Sequence, residues 1–198
     1  MAVILLKSDE RNRLEPYIGA DLLARLRSAR HWYTQLEEGA CFLMFPLCDV
    51  RQPMGSEEVI CIYCGRDFVF CGDNTRCLSL LRALPDDLEP YLRLLRFLQA
   101  LTADDVDVLD KLEGSITALE DELLTARTPP TRAGARIISL RHGLLKLRRY
   151  YEQLGLLTGE LPENEAVVHD PELRKHFRAM DRRADHLLAS VLHLRDYI

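Results

Sequence analysis

The feature that most constrains this chain lies at its end. From Asp170-Pro171 onward, apolar residues recur at Leu173, Phe177, Met180, Ala184, Leu187, Val191, Leu194 and Ile198, in alternating steps of four and three. On a helix this spacing draws one stripe along one face, the heptad pattern of a packed or paired helix. Asp170 suits the N-cap and Pro171 the first helical position. No closing glycine, proline or lysine cluster follows the stripe. The pattern predicts a stalk helix over residues 170–198 whose seam is still open at Ile198 and continues into a further segment.

Composition narrows the class. With 198 residues, 47% hydrophobic and 29% charged, the chain has material for a folded core, which excludes wholesale disorder. A net charge of −5 excludes the basic surface that nucleic acid demands, so no nucleic-acid partner is expected. Every apolar run falls short of the roughly 18 residues of a membrane span. Residues 1–7 lack the basic segment of a signal peptide. The visible chain is expected to be soluble and unexported, with reduced thiols.

Cys41, Cys48, Cys61, Cys64, Cys71 and Cys77 all fall in the strand-like first half. Cys61-Ile62-Tyr63-Cys64 has the CxxC form of zinc knuckles and redox sites. A strand, however, sends residues three apart to opposite faces. Packed cysteines are therefore favoured over a zinc or thiol centre.

The first half reads as short strands with a helical insert. Residues 2–6, 31–36, 41–47, 58–64 and 67–71 are strand-like. Residues 14–29 have helical spacing through Ile18, Leu22 and Leu26. Glu37-Glu38-Gly39 and Gly65-Arg66 mark two hairpins. This predicts a small mixed, mostly antiparallel sheet with helices against one face, an α+β fold. Short helices follow over 75–84 and 89–101. A long helix then starts with Thr102 as N-cap and carries Val106, Leu109, Leu112, Ile116, Leu119 and Leu123. After Thr128-Pro129-Pro130, a second long helix carries Ile137, Leu140, Leu144, Leu147, Tyr151 and Leu154.

The two stripes predict an antiparallel helical hairpin, a coiled coil about 35 Å long. A polar linker is expected over 158–169. The division is an αβ head at 1–101, a hairpin at 102–157 and a stalk at 170–198. The hairpin arms differ in charge: Asp104, Asp105, Asp107, Asp110, Glu113, Glu120, Asp121 and Glu122 face Arg132, Arg136, Arg141, Lys146, Arg148 and Arg149. Pairing across the hairpin is favoured over a basic strip that binds phosphate or lipid headgroups.

A short sheet is followed by Asp105-Val106-Asp107-Val108-Leu109-Asp110-Lys111-Leu112-Glu113, then Ile116 to Leu124, a basic Leu-rich return helix from Leu140 to Tyr151, Arg183-Ala184-Asp185-His186-Leu187 and Leu194-Arg195-Asp196-Tyr197-Ile198. This order resembles the cytoplasmic region of CorA-type divalent-cation transporters. The resemblance implies a regulatory domain of a pentameric magnesium or cobalt channel, on the cytoplasmic face of the inner membrane. It implies gating by divalent ions bound between subunits, a membrane region beyond Ile198, and no enzymatic activity. Aligned on Phe177-Arg178, Ala179 takes the place of an aspartate that some relatives use, which is a departure from the family pattern. Asp181 and Asp185, four apart on the stalk, are the candidate ligands for Mg2+ or Co2+. Pairing with Arg178, Arg182 or Arg183 is the competing reading, and Asp196 is a further candidate.

His142, His169, His176, His186 and His193 read as surface or interface residues, and Trp32 as core. No P-loop, nucleophile elbow or dinucleotide-binding glycine loop occurs. The alternatives are a stand-alone coiled-coil interaction protein with an αβ head and, less favoured, a zinc or thiol protein built on Cys61 and Cys64.

Overall fold

The structure is a computed structural model describing residues 2–26, 33–125 and 133–197. Its strands are β1 (Val3–Leu6), β2 (Tyr33–Glu37), β3 (Ala40–Leu47), β4 (Glu58–Cys64) and β5 (Phe68–Cys71). They form one mixed sheet in the order β1-β5-β4-β3-β2, with β1 parallel to β5 and every other pair antiparallel. Gly39 turns the β2–β3 hairpin at φ 71°, a left-handed conformation that favours glycine.

Strand alternation divides the core in two. Leu43, Phe45, Ile60, Ile62, Phe68 and Phe70 point to one face, whereas Phe42, Met44, Cys61, Tyr63, Val69 and Cys71 point to the other. Helix α1 (Glu15–Leu26), entered through a 3-10 turn at Ser8–Leu14 and broken at Gly19, covers the second face with Leu22, Leu23 and Leu26. The remaining helices cover the first. Helices on one face only were expected; the sheet is covered on both. The near-continuous apolar runs of β3 to β5 have this cause, since a strand buried on both sides cannot alternate with polar residues.

The helical layer comprises α2 (Thr75–Arg82), α3 (Pro90–Leu101), α4 (Asp105–Thr125), α5 (Ala133–Glu163) and α6 (Pro171–Asp196). Asn74 caps α2 by accepting the Cys77 amide at 3.0 Å, and Asp170 caps α6 by accepting the Glu172 amide at 2.9 Å. Thr102, expected to open α4, instead closes α3: its hydroxyl donates to the Leu98 carbonyl at 3.0 Å. Residues 158–163, expected as linker, extend α5. Thr158 donates to the Leu154 carbonyl at 2.9 Å, and Leu157 and Leu161 are buried. Packing overrides the weak helix propensity of Gly159 and Pro162. The segment that follows α5 is fixed to the sheet, where the Gly39 amide donates to the Ala166 carbonyl at 2.7 Å.

α4 and α5 run antiparallel, tied by Glu122–Arg136 at 2.9 Å and by Tyr151–Asp105 at 2.9 Å. The expected charge pairing is thus partial. Lys146 goes to Glu57 and the Gly55 carbonyl, Arg148 to Glu152 in its own helix, and Asp104 to Arg51. Among the described residues, the most extensive helix packing is between α5 and α6.

That packing corrects the reading of the α6 stripe. Leu173, Phe177, Met180, Ala184, Leu187, Val191 and Leu194 are buried within this chain, Phe177, Ala184, Leu187 and Val191 fully. Their seam is covered rather than open, so the heptad spacing records packing against the neighbouring helices and gives no warrant for a continuation. Ile198, Trp32, His31 and the Thr128-Pro129-Pro130 turn lie outside the described residues.

Candidate functional site

With its apolar stripe turned inward, α6 presents Asp181 and Asp185 to α5. The facing positions are glycines: a Cβ at Gly159 would stand 3.3 Å from Asp181 Oδ1, and one at Gly155 would stand 3.9 Å from Asp185 Oδ1. The missing side chains leave an open groove of about 650 Å³, lined by both aspartates, Glu152, Glu160, Glu163 and Leu188. The two carboxylates share this groove as the four-residue spacing predicts.

The aspartates do not take the arginine partners considered for them. Asp181 Oδ1 accepts the Thr158 hydroxyl at 3.2 Å. Arg178 pairs with Glu163 at 3.1 Å, and Arg183 points away to backbone carbonyls. Burial raises the Asp181 carboxyl above its ordinary range and the Asp185 charge raises it further, while Thr158 and Arg182 act in the opposite direction. Oxygen ligands on a half-buried helix face suit a hard divalent cation, which keeps several waters and takes one or two carboxylates. Among the described residues, no group of three or more His, Cys, Asp or Glu is placed to hold a metal. Asp181 and Asp185 thus bring two carboxylates to one groove, fewer than such a group.

The other candidates separate. Asp196 pairs with its neighbour Arg195 at 2.9 Å, and His193 stacks edge-on against Tyr197. All six cysteines are free and buried. Cys61 and Cys64 lie in different halves of the core, on opposite faces of β4, so one ion cannot bridge them. Burial pushes the thiols of Cys61 and Cys77 up to about 12 and that of Cys48 to about 11. At neutral pH these are protonated, packed groups rather than ligands or nucleophiles.

A second polar cluster, which no sequence pattern marks, lies at the α3–α4 elbow. Arg76 of α2 donates to the Leu101 carbonyl at 3.0 Å. Arg183 of α6 donates to the carbonyls of Thr102 at 2.7 Å and Ala103 at 3.1 Å. Asp105 is 1% exposed, and its carboxylate accepts the Tyr151 hydroxyl. Burial raises the Asp105 pKa against the opposing pull of Tyr151, Arg76 and Arg183. Asp105 sits among first-turn acids that a helix dipole explains, so nothing in the sequence marks it as buried.

The profile of the CorA-like Mg2+ transporter protein matches residues 5–198. The chain belongs to the CorA-like Mg2+ transporter family. Among curated proteins no sequence match was found. The complete structure of the CorA magnesium transporter from Methanocaldococcus jannaschii superposes with a TM-score of 0.78 at 15% identity, covering 98% of this chain and 65% of that one. The soluble domain of the same CorA gives 0.74 at 16% identity, covering 98% and 83%. Full-length CmaX gives 0.78 at 13% identity, covering 98% and 64%.

These likenesses establish the fold, that of the CorA soluble domain. This CorA-like chain spans about 65% of the length of the complete CorA structure. Among its described residues no helix is long and apolar enough to cross a membrane.

Proposed function

We propose that this CorA-like chain is the regulatory domain of a divalent-cation channel, carrying Mg2+ or Co2+, that works as a homo-pentamer. The domain sits on the cytoplasmic face of the inner membrane, and a transmembrane region outside this chain supplies the pore. The head at 1–101, the hairpin at 102–157 and the stalk at 170–198 are its working parts. Its chemistry is gating rather than catalysis: cations bound between neighbouring subunits hold the channel shut, and their loss lets the subunits separate.

The observation that carries this reading is the family match along nearly the whole chain, joined to the Asp181–Asp185 pair. A pair of carboxylates completed by water and a second subunit is what an interface sensor requires. Burial first and the Asp185 charge second hold Asp181 above its ordinary pKa, and a divalent cation offsets both as it binds. The decisive test is a crystal soaked in Co2+ or Mn2+ and measured at the metal edge. An anomalous peak within coordination distance of Asp181 or Asp185 is expected. Peaks confined to other sites would refute the assignment.

A further inference from the structure

Asp181 and Asp185 flank Arg183 in sequence, two residues away on either side. At 3.6 residues per turn this places Arg183 about 160° around α6 from each aspartate. One side of the helix faces the groove; the other grips the α3–α4 elbow. Arg183 and Arg76 approach that elbow from different helices, and both donate to carbonyls at the C-terminal end of α3, where the helix dipole is negative. Asp105 lies buried near both arginines and is itself fixed by Tyr151 of α5.

We infer that Arg183 is a positioning residue that couples displacement of α6 at the Asp181–Asp185 groove to the α3–α4 elbow, and through Arg76 to the αβ head. Three features support a coupling role beyond simple packing. The two Arg183 contacts run through one nitrogen, whereas its Nε–H is buried and meets no acceptor among the described residues. A donor without a protein partner leaves this grip incompletely made. The carbonyls it holds belong to a chain reversal rather than a helix interior, where local rearrangement is easiest. Between groove and elbow, α6 is a continuous helix with a buried stripe, so a push on one face reaches the other.

The inference rests on the proposed gating only for what moves α6 in the working protein, and its test uses no metal. Gly159→Val places a side chain in the groove against the Asp181 carboxylate, which must shift to accommodate it. Amide hydrogen exchange is then read at residues 98–105 and 75–82, alone and combined with Arg183→Met or Arg183→Lys. In the wild-type background Gly159→Val is expected to speed elbow exchange about tenfold. In the Arg183→Met background it is expected to add nothing further, and Arg183→Lys, which keeps a cationic donor, restores the response. A purely structural Arg183 would give additive effects. Equal acceleration with and without Arg183, or loosening of the groove with the elbow unchanged, would overturn the inference. If Gly159→Val loses its near-ultraviolet dichroism, Gly159→Ala is compared in the same way. A failure of cation binding at Asp181 and Asp185 leaves this result unaffected, so the two ideas fall separately.

Discussion

Helix α5 is packed in two different ways along its length. Against α6 it offers Gly155 and Gly159, the backbones come close, and the α6 stripe is buried. Against α4 the contact is made by side chains, Glu122 to Arg136 at one end and Asp105 to Tyr151 at the other. Between these, Pro53 from the β3–β4 loop sits over Gly143, beside a cavity of about 410 Å³ lined by Met54, Leu112 and Leu140. The comparison teaches how differently one helix is held on its two sides. α5 and α6 share the more extensive seam, while α4 adds Leu109 and Ile116 to the same core and meets α5 through a few polar ties.

The strongest way to break this comparison is to remove one large side chain from each seam. Phe177→Ala, at the α5–α6 seam, is expected to cost about 3–5 kcal/mol in urea unfolding. Leu112→Ala, half-buried at the α4 seam, is expected to cost under about 2 kcal/mol, since much of that side chain is already exposed. Equal losses would show that the two seams are equally tight.

Next in size is the buried carboxylate that joins the seams. The native Asp105 pKa is raised by burial, so the folded protein holds this proton more tightly than the unfolded chain. Stability is then highest below the ordinary carboxylate range and falls as pH rises through the native pKa. Asp105→Asn is expected to remove this fall while keeping an acceptor for Tyr151. Chemical denaturation at several pH values checks it, and an unchanged slope in the variant contradicts it.

The smallest effect belongs to the exposed tie. Glu122→Ala is expected to change stability by less than about 1 kcal/mol, and the change should shrink in high salt. A larger, salt-independent loss would mean that the α4 seam depends on this pair more than its exposure allows.

Much of this architecture is written in the spacing of residues. The strands, the α6 cap at Asp170-Pro171 and the heptad stripes follow from local patterns that tertiary packing reinforces. The pair Asp181 and Asp185 is legible for the same reason, because helical periodicity alone puts them on one face. What covers a stripe is a different matter, since a seam filled by α5 and one left for another partner have identical spacing. The extension of α5 past Thr158 was hidden by Gly159 and Pro162, which are breakers in isolation but are held by Leu157 and Leu161 in the core. The elbow cluster was illegible because Arg76, Asp105, Tyr151 and Arg183 come together only in the folded chain.

The central claim is that Asp181 and Asp185 form the cation-sensing half-site of this CorA-like domain. It is tested most directly by titrating Mn2+ into the isotopically labelled chain and following paramagnetic broadening of amide signals. The account predicts early broadening confined to residues 155–160 and 181–188, weaker at acid pH because Asp181 must lose its proton, and abolished in Asp181→Asn/Asp185→Asn. Broadening that persists in that variant, or that centres on another part of the molecule, would contradict it.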